Sequence, residues 1–258
     1  EINYEPRYMT LNWDSYLTPK KREELVLVSA SSGMDSTTTL CALKMAGYKN
    51  IVACHFNYGH RGGDCEQVAI QNICTILDIQ LKVFDIKNPL QDIDKTSMLM
   101  SNTAKVTTGQ NDALKTLAAW APCRNLQFLT WMATYAEAEV MKHNYDEVHF
   151  LGGFLNLSES AVYSDNSENF VNAFVNTLKY GSLIGDRIKL NYGMCDLMKS
   201  DQIYFLHHFN LLDIYKYTIS CDRPKMINGI PHNCSKNGKP ACGSGAFLVK
   251  VFDYLLAE

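Results

Sequence analysis

The sequence predicts an α/β fold, a doubly wound parallel sheet with a C-terminal tail that contains cysteines. Two observations predict it. From Leu25 to Asp85, short apolar runs of strand length alternate with longer stretches of helical periodicity, and the connections between them are short. The first run, Leu25 to Ala30, also leads into a turn of small polar residues, Ser31-Ser32-Gly33-Met34-Asp35-Ser36-Thr37-Thr38, that opens a helix. In parallel sheets wound with helices, ligands sit at the carboxyl ends of strands, where this turn lies.

Residues 1–24 are polar and Tyr-rich and read as an N-terminal arm. Leu25 to Ala30 is apolar throughout, as a strand buried on both faces is. The helix after the turn runs from Ser36 to Met45 and closes at Gly47, the residue type that tolerates a left-handed helix end. Asn50 to Phe56 is the second strand. About Asp64 to Leu77 is the second helix, with Val68, Ile70, Ile73, Ile76 and Leu77 near helical spacing, and Leu81 to Asp85 is the third strand. Residues 87–119 break the alternation; a polar connection of that length is more often functional than a plain linker, and it reads as a substrate lid. A long helix then spans Pro122 to about His143, with proline in the first turn, where its missing donor costs nothing. Val148 to Leu151 is a strand that ends in Gly152-Gly153. A helix near Asn166 to Tyr180, the strand Ile188 to Leu190 and a helix from Lys199 to His208 follow. The principal domain is therefore 25–215, and 216–258 form the cysteine-containing tail and helix.

A chain of 258 residues can bury an ample core, and a net charge of −3 offers no global attraction for nucleic acid. No direct nucleic-acid partner and no membrane partner are expected. Glu1 to Lys21 lacks the apolar run of a signal peptide, and no stretch is apolar for the length that spans a bilayer. Cysteines are mostly dispersed through expected strands and helices, as at Cys41, Cys54 and Cys74, which suits free thiols in a reducing cytoplasm. His207-His208 reads as a pair on a helix surface.

A strand, a tight polar turn and a helix N-terminus together make an anion site, because backbone N–H groups point outward and the helix dipole favours negative charge. No lysine follows Gly33, which separates the turn from a Walker A loop. The turn resembles the Ser-Gly-Gly-x-Asp-Ser loop of the ATP pyrophosphatases, with Ser32 in place of the first glycine. That exchange puts a Cβ where the backbone would approach phosphate or take a positive φ.

Further stretches resemble one subgroup of that superfamily, the 7-cyano-7-deazaguanine synthases. Phe56-Asn57-Tyr58-Gly59-His60-Arg61 is similar to the family's Phe-Asp-Tyr-Gly-Gln-Arg, with Glu66 where the pattern has a glutamate. Ala121-Pro122-Cys123-Arg124-Asn125 through Leu129 resembles Val-Pro-Ala-Arg-Asn-x-x-Phe-Leu, and Ala133 to Ala138 continues the match. Val162-Tyr163-Ser164-Asp165 with Phe170 to Phe174 resembles Tyr-Pro-Asp-Cys-Arg-x-x-Phe-x-x-Ala-Phe, and Asp196-Leu197-Met198-Lys199 resembles Asp-Leu-Thr-Lys. The order and spacing of these stretches, over about residues 25 to 255, carry the resemblance.

The resemblance implies a nucleotide-binding sheet of the adenine nucleotide alpha hydrolase type, with ATP and Mg²⁺ as cofactors and a small 7-deazaguanine and ammonia as reaction partners. A homodimer is in keeping with the family. Ser31, Ser32, Gly33, Met34, Ser36 and Thr37 would hold phosphate, with Phe56 and Gly152 beside the nucleotide. Asp35 would carry Mg²⁺ or orient the loop. Arg124 and Lys199 would face phosphates or the acyl-adenylate, with Arg61 as a further cation. Asn125, Phe154, Tyr163 and Asp165 would line or bind the base. The implied reaction adenylates 7-carboxy-7-deazaguanine, forms an amide with ammonia, then activates and dehydrates the amide to a nitrile.

The family's tail carries four zinc thiolates as Ser-Cys followed by Cys-Gly-x-Cys-x-x-Cys. Here Ser220-Cys221 and Ala241-Cys242-Gly243-Ser244 match, but the last two cysteine positions are Gly245 and Leu248. Cys221, His232, Cys234 and Cys242 offer acceptable types for a tetrahedral zinc site, without any Cys-x-x-Cys knuckle. The alternatives are a metal-free tail, a relative that stops at the amide or couples the acyl group to another amine, as in viral DNA modification or antiviral defence, a tRNA-modifying pyrophosphatase, and a degenerate nucleotide-binding subunit.

Overall fold

The computed structural model describes residues 23–87, 121–152, 164–190, 197–221, 223–233, 235–236 and 239–240. The expected arm before Glu23, nearly all of the expected lid and the end of the tail lie outside the described residues. Five strands form one parallel sheet: β1 (Leu25–Ser29), β2 (Asn50–Asn57), β3 (Gln80–Asp85), β4 (Val148–Gly152) and β5 (Ile188–Leu190), in the order β3-β2-β1-β4-β5. The chain moves outward from β1 through β2 to β3, then returns to place β4 on the other side of β1. A crevice therefore opens at the carboxyl end of β1, the place where ligands bind in open sheets of this kind.

Alternation along the strands assigns the two cores. Val26 and Val28 of β1 and Ile51 and Ala53 of β2 face α1 (Met34–Met45), α2 (Gly63–Leu77) and α5 (Lys199–His208). Leu25, Leu27, Val52, Cys54 and Phe56 face α3 (Arg124–His143) and α4 (Glu168–Gly181). Both faces of β1 and β2 are covered, which is why their sequences are apolar without alternation. Each fully buried Leu or Val contributes about 1.5–3 kcal/mol. Cys41, Cys54 and Cys74 are buried free thiols, and burial pushes Cys41 and Cys74 up to about 12. His207 and His208 are exposed on α5. Among the described residues, no helix is long and apolar enough to cross a membrane.

The starts of three helices differ from the sequence reading, each for a local reason. α1 begins at Met34, not Ser36, because Gly33 holds the extended cap conformation, φ −73° and ψ 171°. α3 begins at Arg124, not Pro122. Pro122 sits in a turn closed by the Arg124 N–H on the Ala121 carbonyl at 3.2 Å, and Cys123 caps the helix in the left-handed region at φ 53°. Proline presets that turn, so the helix starts after it. α4 begins at Glu168 because the Ser167 hydroxyl accepts from the Phe170 N–H at 3.2 Å, after a 3₁₀ turn at Ser164–Asn166. β5 and α5 keep their expected limits, and Gly47 takes the expected positive φ, 81°.

Beyond α5 a 3₁₀ segment, Leu212–Tyr217, packs back on α1. The Tyr215 and Thr38 hydroxyls meet at 2.6 Å in the core, and Thr38 also donates to the Met34 carbonyl at 2.8 Å. Burial raises the Tyr215 phenol well above its ordinary value. Two short antiparallel ribbons follow, β6 (Lys225–Ile227) with β7 (Ile230–His232) and β8 (Ser235–Lys236) with β9 (Lys239–Pro240).

Candidate active site

The loop between β1 and α1 takes a left-handed turn at Ser32. Ser32 lies at φ 66°, fully buried, and its carbonyl accepts from the Ile219 N–H at 3.2 Å. A left-handed non-glycine residue costs about 1–2 kcal/mol, so the loop holds this conformation against local preference. α1 has no side-chain cap, and its first ladder bond is Thr37 N–H to the Gly33 carbonyl at 3.1 Å. The amides before Thr37 have no acceptor within the helix. Among the described residues, the buried hydroxyls of Ser32 and Thr37 likewise make no hydrogen bond. Uncapped amides at a helix start are suited to an anion.

Asp35 stands in the first turn of α1 and is held from α5: Lys199 forms an ion pair with one carboxylate oxygen, and Gln202 Nε2 donates to the other at 2.6 Å. Both ion-pair side chains are about one-third exposed, at 31% for Asp35 and 30% for Lys199. α5 is itself fixed by the Met198 N–H donating to Asp201 Oδ2 at 2.9 Å. The structure thus brings two of the expected catalytic residues together as a charge pair.

Beside this loop, at the carboxyl ends of β1 and β2, lies a cavity of about 280 Å³. Its wall includes Ser31, Phe56, Arg61, Arg124 and Asn125 from the sequence-derived set, together with Tyr58, His55, His60 and Glu66. Arg124 lies 5.8 Å from the Tyr58 ring centre, and its Nη1 donates to the Tyr58 hydroxyl at 3.5 Å. Asn125, 1% exposed, donates through Nδ2 to Asn166 Oδ1 at 3.1 Å and to the Asp165 carbonyl at 3.4 Å. It therefore pins the 3₁₀ turn before α4 to the start of α3. Asp165 is in that turn; burial raises its pKa, opposed by the neighbouring Arg124. Phe56 is clamped between Phe84 and Phe128, with ring centres 4.9 and 4.2 Å away, so it is a packed wall.

Two imidazoles in this cavity were not singled out by sequence reasoning. His55 Nδ1 is 3.0 Å from the Ala30 carbonyl, which assigns the proton to Nδ1 and leaves the unpartnered Nε2 as an acceptor. Burial lowers its pKa, against the Ala30 hydrogen bond and the Glu66 charge, which raise it. His60 stacks on Tyr58 at 4.0 Å, and its Nε2 lies 3.1 Å from Glu66 Oε2. The sequence signal for His60 was present, since it follows β2 at its carboxyl end.

Gly152 ends β4 opposite Ser29 of β1, at the crevice, whereas Phe154 and Tyr163 lie outside the described residues. Of the four residues expected to hold zinc, Cys234 and Cys242 also lie outside them. Cys221 is buried in the cavity wall and accepts from the Arg223 N–H at 3.3 Å, and His232 is exposed on β7. Among the described residues, neither belongs to a cluster of three ligand atoms.

The family model described as queuosine biosynthesis protein QueC matches residues 25–244. The chain is 28% identical over 241 residues to the 7-cyano-7-deazaguanine synthase of Methanococcus vannielii, covering 88% of this chain and 97% of that protein. It is 30% identical over 199 residues to the corresponding synthase of Methanocaldococcus jannaschii, covering 74% and 81% of the two chains. Against 7-cyano-7-deazaguanine synthase 2 of Sulfurisphaera tokodaii, identity is 28% over 183 residues, which cover 70% of this chain and 38% of that longer protein.

Proposed function

The chain belongs to the QueC family, and on that premise we propose that it is an ATP-dependent enzyme that forms C–N bonds and converts 7-carboxy-7-deazaguanine to 7-cyano-7-deazaguanine. The observation that carries this reading is the cavity itself: two arginines and two imidazoles gather beside the uncapped start of α1, at the crevice of the sheet.

Each step places a definite demand on these residues. A carboxylate oxygen of the substrate attacks the α-phosphorus of ATP, the bond from that phosphorus to the bridging oxygen breaks, and pyrophosphate leaves. The amides at the start of α1 take up the leaving charge. Ammonia then attacks the acyl carbon and AMP departs with the former carboxylate oxygen, leaving the amide and a proton. A second ATP activates the amide oxygen in the same way, and loss of AMP and of both amide protons leaves the nitrile. Arg124 offers a planar fork to the oxygens of the acyl-adenylate, oriented by Tyr58 and Asn125. Neutral His55 presents an acceptor to an N–H edge of the base. The reaction needs little beyond positioning and charge stabilisation.

Mg²⁺ fits this loop, since Asp35 supplies a hard oxygen and the cation otherwise takes phosphate oxygens and water. When bound, it would neutralise phosphate charge as pyrophosphate forms. Incubating the chain with ATP, Mg²⁺, ammonium and 7-carboxy-7-deazaguanine, followed by mass spectrometry, tests the proposal. Nitrile with AMP and pyrophosphate is expected. An amide that accumulates would show that the second dehydration is missing. Absence of AMP, with Asp35→Ala identical to the unmodified chain, would overturn the reading.

A further inference from the structure

We propose that Glu24, Glu147 and His149 form a divalent-cation site at the amino-terminal end of the sheet, remote from the cavity. Register builds the cluster. Leu25 pairs with Val148 and Val26 with His149, so Glu24 and Glu147 stand side by side one step before the ladder. His149, two residues beyond Glu147, lies on the same face. Carboxylates directly opposite each other on neighbouring strands repel, and a cation between them removes the penalty.

The atoms are arranged as ligands. Glu24 is 6% exposed, and among the described residues its Oε2 makes no hydrogen bond; neither does either ring nitrogen of His149. Yet His149 Nε2 lies 2.9 Å from Glu24 Oε2 and 3.6 Å from Glu147 Oε2, and the three ligand atoms lie within 4.8 Å of one another. Two donors each about 2.1 Å from one ion are roughly 3.0 Å apart at a right angle and roughly 3.4 Å apart at the tetrahedral angle. The observed separations bracket those values. A simple imidazolium–carboxylate pair would instead align an N–H with an oxygen.

One imidazole with two carboxylates suits Zn²⁺ and its neighbours, with water completing the coordination. The Glu147 side chain, 39% exposed, provides the route in. Such an ion would tie β1 to β4, the two strands that flank the crevice, and so act structurally.

The test uses the full chain after chelator treatment, titrated with Co²⁺ and with Zn²⁺. Thiolate binding elsewhere in the chain would show a sulfur-to-cobalt charge-transfer band; the proposed nitrogen and oxygen site would show visible bands without it. One such equivalent is expected, with affinity lowered more than about 100-fold in His149→Gln and in Glu147→Gln. Zn²⁺ at 100 times its Kd should raise Tm by roughly 5 °C in the unmodified chain and not in Glu147→Gln, whose partly exposed side chain leaves folding intact. If both variants keep the same cobalt spectrum, stoichiometry and Tm rise, the cluster is an ordinary ion pair and the proposal fails.

Discussion

Replacing Ser32 with glycine should stabilise the protein without slowing pyrophosphate release. Ser32 holds φ 66° with its hydroxyl buried and, among the described residues, unbonded. Glycine relieves about 1–2 kcal/mol of left-handed strain and removes a buried hydroxyl whose lost hydration costs about 1–3 kcal/mol. Against that stand about 0.4–1 kcal/mol of extra chain entropy in the unfolded state and about 0.8 kcal/mol for the lost methylene contact. The midpoints favour glycine by about 2 kcal/mol, which corresponds to a Tm rise of about 4–8 °C in a domain of this size. Urea denaturation of the purified chain measures the first quantity, and a coupled pyrophosphate assay measures the second. Ser32→Ala separates the two effects, since it removes the hydroxyl and keeps the strain. A Ser32→Gly protein that is less stable, or one whose kcat for pyrophosphate release falls tenfold, would refute the reasoning: the hydroxyl would then be engaged in folding or in the reaction.

Three further outcomes follow from the geometry. Arg124→Lys keeps a charge but loses the fork that Tyr58 and Asn125 orient, so pyrophosphate release should fall about 10²–10³-fold with Tm nearly unchanged; an unaltered rate would remove Arg124 from the mechanism. His55, whose ordinary value is 6.5 and whose pKa is lowered by burial, binds its proton less readily when folded than when unfolded. Stability from this group is therefore full above pH 6.5 and is lost as pH falls through the folded value, at up to about 1.4 kcal/mol per pH unit. Urea unfolding of the unmodified chain and His55→Gln across that window should show a shallower slope in the variant. Gly185→Ala should be severely destabilised, by about 3 kcal/mol or more, because its Cβ would come 2.1 Å from the Leu178 carbonyl oxygen; circular dichroism melting of the variant checks it.

Strands and helices were legible where burial dictates composition. β1 and β2 are covered on both faces, and only continuous apolar runs satisfy that. β5 was read at its exact limits because polar Arg187 and Asn191 bracket it in the sequence. The starts of α1, α3 and α4 were misread because the cap lies in backbone geometry: Gly33 extended, Cys123 left-handed, Ser167 accepting from the chain ahead. The site was legible in its parts but not in its pairings. Asp35 and Lys199 are 164 residues apart, and no local pattern announces that a helix from the end of the sheet delivers an ammonium to a carboxylate in the loop. His55 escaped notice for another reason. A strand histidine reads as core, and its chemistry depends on which carbonyl happens to meet its Nδ1.

The Asp35–Lys199 pair bears on how the loop handles charge. An ammonium bound to Asp35 is partly neutralised and cannot also present its full charge to phosphate. Among the described residues Arg124 forms no ion pair with a carboxylate, although the charge of nearby Asp165 reaches it; its contacts there are the Tyr58 ring and hydroxyl and the Asn125 amide oxygen. These orient the guanidinium and leave its charge in place. Arg124 is therefore a cation of the cavity, beside Arg61, whereas Lys199, as the structure stands, balances the acid in the first turn of α1. A cation that took Asp35 as an oxygen ligand would compete with Lys199 for it and free the ammonium for the phosphates. On this reasoning the proposed adenylation divides its charge work: Arg124 faces the acyl-adenylate from the start, and Lys199 joins the phosphates only when Asp35 is given another partner.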